Sequence, residues 1–345
     1  MTPDGSAPST VTAEHYEPAT IPFLDELRSI AGELSEVEGK RLDDLIARYA
    51  PHAADISRRL YEKLPIDERA RLVIWFLKRW GGIDRVEADE MKAYQGSVKR
   101  ITDEEREPVT VAGREYTLQD LNSQGYDFRL ATYRWVTSIH DVLYDQYQTE
   151  SFKVKPGDVV IDAGAFVGDT AALFCAKTQG ECQVHAFEVL SENLELLQYN
   201  MELNSISDRV VVNRVALSDR SGDVLVIRPA ALQGATSVTS VKSGPVDGER
   251  IPTVTIDDYV ATQGLERVDL IKMDIEGSEL PALEGAINTI RKFKPMLALC
   301  LYHKWDDVVQ IPAFIERTGL DYSFNFKWVQ LTHGWEAVLL ASPVE

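Results

Sequence analysis

The sequence predicts a doubly wound α/β fold: a mostly parallel sheet finished by an antiparallel hairpin and preceded by a helical N-terminal domain. Three observations predict it. From about residue 150 onward, short apolar runs alternate with helical stripes, the pattern of parallel strands covered by helices on both faces. One of those runs leads into a turn with glycines at 164 and 168 and then into a helix start, as at the ligand-binding edge of open α/β sheets. The last two runs, 322–326 and 337–340, alternate like a terminal antiparallel hairpin.

Composition sets the outer bounds. The chain has 345 residues, room for about two domains. Its 36 Lys and Arg against 55 Asp and Glu leave a net charge of −19. Such a surface repels phosphate backbones and anionic lipid, so neither nucleic acid nor a membrane is an expected partner. No apolar stretch is long enough to span a bilayer, and residues 1–6 lack the basic and apolar regions of a secretory signal. Cys175, Cys182 and Cys300 form neither a closed disulfide set nor a zinc spacing, which points to a reducing cytoplasm.

Residues 1–20, polar and rich in Pro, Ser and Thr, read as a disordered tail. Residues 21–140 read as a mainly helical domain with one small hairpin. Leu24, Leu27, Ala31 and Leu34 make one stripe, and Leu42, Leu45, Ile46 and Tyr49 a second. Ile66, Leu72, Val73, Phe76, Leu77 and Trp80 make a third, stopped by Gly81 and Gly82. These faces suit a core or a homodimer contact. Residues 83–108 are charged and weakly patterned, and 109–118 alternates around Ala112-Gly113 as a hairpin.

The α/β domain occupies 141–345. Its runs are Val159–Ala163, 184–187, 210–215, 268–273 and 296–301, with helical stripes such as Leu194, Leu197 and Met201, or Leu283, Ile287 and Ile290, filling most gaps. Between the third and fourth runs no helix is expected. Two strand-like pieces, 224–227 and 251–254, flank a Gly/Ser/Thr-rich loop there.

The stretch from Val159 to Thr170 carries the chemistry. Strand, glycine turn and helix start bring free backbone N–H groups to a polar or anionic ligand. Asp162 stands two residues before Gly164. Glu188 ends the second run twenty residues after Gly168, where an acid accepts hydrogen bonds from ribose hydroxyls. Together they indicate a nucleoside-containing cofactor. A nucleotide-dependent oxidoreductase would want a third loop glycine, which is missing. A non-catalytic protein that merely keeps the cofactor is a second alternative.

Asp162-x-Gly164-x-x-x-Gly168 followed by Glu188 resembles the donor-binding motifs of class I S-adenosylmethionine-dependent methyltransferases. Ala216-Leu-Ser-Asp219, the strand pair after it, the Asp274-Ile-Glu276-Gly277 element and Tyr302-His303-Lys304 are similar to the FkbM family of methyltransferases, over about residues 140–342. The resemblance implies a class I, Rossmann-like fold and S-adenosylmethionine as cofactor. It implies methylation, first of a hydroxyl and alternatively of nitrogen or carbon, on a small-molecule acceptor such as a secondary metabolite or saccharide. Gly164 and Gly168, with Ala165 and Phe166 between them, would shape the cofactor loop, oriented by Asp162. Asp169 and Thr170 would cap the helix or touch the amino-acid end of the cofactor, Glu188 would hold the ribose, and Leu217 and Ser218 would lie beside the adenine. Asp274 would stand nearest the transferring methyl. A hydroxyl acceptor must lose its proton, and His303, whose ordinary pKa is near neutral, is the first candidate base, followed by Asp274 and Glu276. These three could also gather a divalent ion, but nothing in their spacing demands one and no metal is expected. Lys272, inside an apolar strand, is expected to be structural, paired with Asp274, Glu276 or Glu279. His333 and Trp335 read as packing or solvent-facing.

Overall fold

A computed structural model of the chain describes residues 21–32, 39–83, 85–103, 106–136, 145–229, 236–240 and 248–344. The expected tail at 1–20, Leu34 and most of the Gly/Ser/Thr-rich loop lie outside the described residues.

The N-terminal region folds as α1 (Pro22–Ala31), α2 (Gly39–Tyr49), α3 (Ala53–Arg59), α4 (Ile66–Gly81) and α5 (Ala88–Asp103). The three sequence stripes fall on α1, α2 and α4. Pro22 opens α1 at the position where its missing N–H costs nothing, and Gly82, at φ +61°, closes α4 in the left-handed conformation a side chain resists. One expectation needs correcting. Ile66 is 82% exposed, because it starts α4 before the core-facing stripe begins at Leu72. The weakly patterned segment 83–108 holds a helix at Ala88–Asp103, as the mainly helical reading of this region allows. The helix buries only Tyr94 and Ile101, too thin a stripe to read.

The hairpin β1 (Glu107–Val111) and β2 (Arg114–Asp120) forms as expected, and β3 (Arg129–Thr132) extends it to three antiparallel strands. Then come β4 (Val159–Ala163), α6 (Asp169–Lys177), β5 (Gln183–Phe187), α7 (Ser191–Leu203) and β6 (Val210–Asn213). A second small sheet follows, built from β7 (Ala216–Leu217), β8 (Val224–Pro229), β9 (Thr236–Ser240) and β10 (Glu249–Val254) in the order β7-β10-β8-β9. Contrary to expectation, a helix does precede the fourth run: α8 (Ile256–Gln263), a short one capped by the Thr255 hydroxyl accepting from the Asp258 N–H. The chain continues through β11 (Leu270–Met273), α9 (Glu279–Glu284), α10 (Ile287–Phe293), β12 (Met296–Cys300), α11 (Asp307–Arg317), β13 (Tyr322–Trp328) and β14 (Ala337–Pro343).

The main sheet has the order β13-β14-β12-β11-β4-β5-β6, with β14 antiparallel to β12 and β13 and the other pairs parallel. Its central strands are buried almost throughout and mostly apolar because both faces are covered, with Asp162, His185 and Lys272 as buried polar exceptions. Register then fixes the site: Ala163 lies opposite Met273 on one side and Phe187 on the other. The next residue on each strand, Gly164, Asp274 and Glu188, therefore emerges at one level on the carboxyl edge.

A continuous buried apolar cluster runs from Phe23 in α1 through Phe76 in α4 to Leu340 in β14. The apolar faces of α1, α2 and α4 thus pack on the chain's own core, the first of the two roles expected for them. The Cys175 and Cys182 sulfurs lie 3.8 Å apart as buried free thiols. Among the described residues no helix is long and apolar enough to cross a membrane.

Candidate active site

The turn after β4 is built around a buried ion pair. Lys272, on β11, reaches across to Asp162, Nζ to Oδ1 at 3.1 Å, and donates to the Gly164 carbonyl at 2.6 Å. Burial pulls the Lys272 pKa down, but the carboxylates of Asp162, Asp274 and Asp169 outweigh it and keep the ammonium charged. The expected partners of Lys272 are thereby corrected: Asp162 is its ion-pair partner, because the register sets Lys272 opposite Asp162. The Thr170 hydroxyl donates to Asp162 Oδ2 at 2.6 Å and makes no cap of α6. Asp169 makes no side-chain cap either.

Gly164 is required by a neighbour just past the end of β11. At φ +79°, a Cβ there would stand 1.8 Å from the Asp274 carbonyl oxygen. The Gly164 and Ala165 N–H groups both donate to the Phe187 carbonyl at 3.0 Å, and Phe166 adopts φ +47°. Glu188 is nearly buried. Its Oε1 accepts from the Val189 and Leu190 N–H groups at 2.6 and 2.8 Å, and its Oε2 accepts from Asn193 Nδ2 at 3.2 Å. Burial raises its carboxyl pKa against those hydrogen bonds. Leu217 is buried, with β7 paired to β10, and the Ser218 N–H donates to the Val254 carbonyl.

Beyond β11 and β12 lies the second half of the site. Tyr302 donates to Asp274 Oδ1 at 2.9 Å and Tyr147 to Oδ2 at 2.8 Å. Burial pushes the Asp274 carboxyl up, but His303, Lys272 and the two phenols hold it below the usual carboxylate range. His303 Nε2 is 3.4 Å from Asp274 Oδ1 and 3.5 Å from Glu276 Oε2, and its Nδ1 is 2.8 Å from Glu279 Oε1. Burial lowers the imidazole pKa, yet Glu279, Asp274 and Glu276 together carry it up to about 9. Its surroundings therefore move His303 away from the near-neutral pKa that recommended it as a base, because three carboxylates favour the imidazolium. Glu276, at φ +54°, has a 44% exposed carboxylate whose pKa burial raises. Ligand atoms of Asp274, Glu279 and His303 lie within 4.8 Å of one another, a set able to hold a divalent ion. His303 itself supplies positive charge among them.

A model of the methyltransferase FkbM domain matches residues 162–332. The chain is 28% identical over 167 residues to the 31-O-demethyl-FK506 methyltransferase FkbM of Streptomyces tacrolimicus, covering 40% of this chain and 63% of that protein. It is 28% identical over 163 residues to the 2-O-methyltransferase NoeI of Sinorhizobium fredii, covering 42% and 64%. It is 30% identical over 144 residues to the hexuronic acid methyltransferase AglP of Haloferax volcanii, covering 40% and 54%. The chain carries a methyltransferase FkbM domain over residues 162–332. The matches span less than two thirds of the length of each of these relatives. A solved methyltransferase FkbM from Methylobacillus flagellatus KT shares the fold, with a TM-score of 0.54, 19% identity, and coverage of 87% of this chain and 61% of that one.

Several residues that complete the site lie outside the stretch matched by the FkbM domain. Tyr147 and Gln146 precede it, and Glu336 follows it. Glu336, at φ +58°, approaches Tyr302 Oη at 3.3 Å and accepts from Gln146. Burial first, then Asp274, push its carboxyl up to about 7. Helix α4 seats this edge of the site: Trp75 Nε1 donates to the Gly334 carbonyl at 2.9 Å, and Arg79 donates twice to the Tyr302 carbonyl, at 3.0 and 2.7 Å. Trp335, 38% exposed, packs on Arg79 and on the edge of Tyr302. It therefore stands beside the site. The sequence offered no signal for Glu336 or Tyr147, an acid in a hairpin turn and a tyrosine in a loop being ordinary there.

Proposed function

We propose that this chain transfers a methyl group from S-adenosylmethionine to a hydroxyl oxygen of a small-molecule acceptor, a secondary metabolite or a saccharide. One observation carries the reading: Gly164, Glu188 and Asp274 emerge at the same level from adjacent strands. A nucleoside acid, a glycine turn and a carboxylate cluster thus share one edge. The donor set suits the cofactor, since Glu188 is oriented by its own backbone and carboxylates gather where a sulfonium charge would need them. The names of the relatives FkbM and NoeI, which specify O-methylation, favour oxygen as acceptor atom.

Bound there, S-adenosylmethionine supplies an electrophilic methyl on a good leaving group. The chain's residues do the rest. Glu188 binds the ribose hydroxyls. Ala165, Phe166 and Asp169 receive the amino-acid end at the start of α6, with Asp162 fixing the turn from beneath. Leu217 and Ser218 flank the adenine. Asp274, pinned by two phenols, fixes the alignment that supplies most of the rate in an in-line displacement. His303 is already protonated at neutral pH, so Glu276, the more open carboxylate, takes the acceptor's proton while His303 steadies Asp274 and Glu276. The reading requires no metal.

Calorimetry with S-adenosylhomocysteine tests the donor half. Wild type should bind and Glu188→Ala should bind at least about 10-fold more weakly. Equal affinities would remove Glu188 from the ribose role, and no binding by wild type would end the donor reading. Transfer of labelled methyl to a hexuronic acid glycoside tests the acceptor half. Glu276→Gln should lose about 10²–10⁴-fold in turnover with S-adenosylhomocysteine affinity unchanged.

A further inference from the structure

Both halves of the donor pocket are touched by one residue from outside the parallel sheet. Tyr133 directly follows β3. Its ring stacks on Phe166, with centroids 5.8 Å apart and planes at 28°. Phe166 holds a left-handed backbone that a bulky side chain resists, so the turn needs outside support. The Tyr133 hydroxyl donates to Asn193 Oδ1 at 2.8 Å, and Asn193 Nδ2 donates to Glu188 Oε2 at 3.2 Å. A carboxylate can only accept, so the Asn193 amide is fixed with its oxygen toward the phenol. Glu188 Oε1 already carries two backbone N–H groups, whereas Oε2 has lone-pair capacity left for a ligand. The oxygen with room for a ribose hydroxyl is thus the one that Tyr133 orients through Asn193.

The support is rigid. Tyr133 is 3% exposed, its ring flanked by Tyr116 at 5.5 Å and Trp135 at 6.1 Å. Two residues earlier on the same strand, Asn200 of α7 clamps Ala131: its Oδ1 accepts from the Ala131 N–H at 2.7 Å. Its Nδ2 donates to the Ala131 carbonyl at 2.9 Å and to the Val167 carbonyl, inside the turn, at 2.8 Å. The three-stranded β1–β3 sheet is therefore tied to the turn and to Glu188 by the side chains of Tyr133, Asn193 and Asn200.

We propose that Tyr133 is a positioning residue of the donor site, setting Glu188 through Asn193 and bracing the 164–168 turn with its ring, so that the β1–β3 sheet takes part in nucleoside recognition. The inference rests on the donor reading above. Calorimetry with S-adenosylhomocysteine and its 2′-deoxy analogue tests it. Tyr133→Phe keeps the ring and loses the hydroxyl. It should weaken S-adenosylhomocysteine by about 5–10-fold and the deoxy analogue by less than about 2-fold, because only the former offers Glu188 its full ribose contact. Asn193→Ala should show the same selectivity, and the double variant should be no weaker than Asn193→Ala, as expected of one chain of contacts. Tyr133→Leu should weaken both ligands further. Equal losses of Tyr133→Phe on both ligands would reduce Tyr133 to fold support and overturn the proposal, as would an unchanged affinity for S-adenosylhomocysteine. Failure of wild type to bind S-adenosylhomocysteine is a separate result that ends the donor reading and this inference with it.

Discussion

The junction beneath the turn and the cluster at its lip are both made of buried charge, but they are balanced differently. Asp162 and Lys272 are one anion and one cation, sealed from water and completed by Thr170 and the Gly164 carbonyl. Asp274, Glu276 and Glu279 surround one imidazole, with Glu336 beside them on Tyr302 and the Asp274 and Glu276 side chains 21% and 44% exposed. A matched pair holds shape, and removing one partner leaves an uncompensated charge. A cluster richer in carboxyls than in cations retains negative potential, which a cationic ligand can offset. The contrast teaches which charges build the pocket and which meet its ligand.

The largest effect is expected at the junction. Gly164→Ala would drive a methyl against the Asp274 carbonyl, a contact relieved only by parting β4 from β11. It should cost more than about 4 kcal/mol in urea unfolding. Gly180 gives the control: its φ is also +79°, but a Cβ there meets nothing within 4 Å. Gly180→Ala should cost only the left-handed penalty of about 1–2 kcal/mol. Similar losses at the two glycines would mean that the close approach of the strands matters little. Next comes Lys272→Met, which strands Asp162 and should cost about 3–5 kcal/mol, part of it recovered by adding Asp162→Asn. No recovery in the double variant would show that the pair is not the source of the loss.

The same contrast explains how much was legible in the sequence. Asp162, Gly164, Gly168 and Glu188 sit on a local strand–turn–helix pattern whose physics is contained within about thirty residues, and it could be read directly. Even so, Gly164 carries a further constraint that the local pattern does not show, because the backbone it must pass belongs to Asp274, far along the chain. The cluster is assembled from distant pieces: Tyr147 meets Asp274 across 127 residues and Gln146 meets Glu336 across 190. No periodicity reports such contacts. The elements that went unread share one trait, weak local marking: α5 buries two residues in sixteen, α8 is eight residues long and β3 is four. His303 was placed correctly on the carboxyl edge, but its protonation is set by Glu279, Asp274 and Glu276 in space, which spacing alone does not give.

The last of these effects separates the two regions by titration. The His303 pKa lies at about 9 in the fold, above its ordinary 6.5. A raised cationic group stabilises the fold fully below its unfolded pKa, and that contribution is lost as pH climbs through the folded value. At roughly 1.4 kcal/mol per pKa unit, the difference between wild type and His303→Gln should reach about 3 kcal/mol near pH 6 and shrink steadily between pH 6.5 and 9. Glu336 titrates near 7 beside it, so the difference between the two proteins is the readout rather than the wild-type curve alone. Lys272 stays charged across that interval, so the deficit of Lys272→Met should be flat over the same pH range. Thermal melts of the three proteins at half-unit steps would show one converging and one parallel pair of curves. If the His303→Gln deficit were also flat, the imidazole would not carry its proton within the carboxylate cluster at neutral pH. It would then return to being a candidate for taking the acceptor's proton, ahead of Glu276.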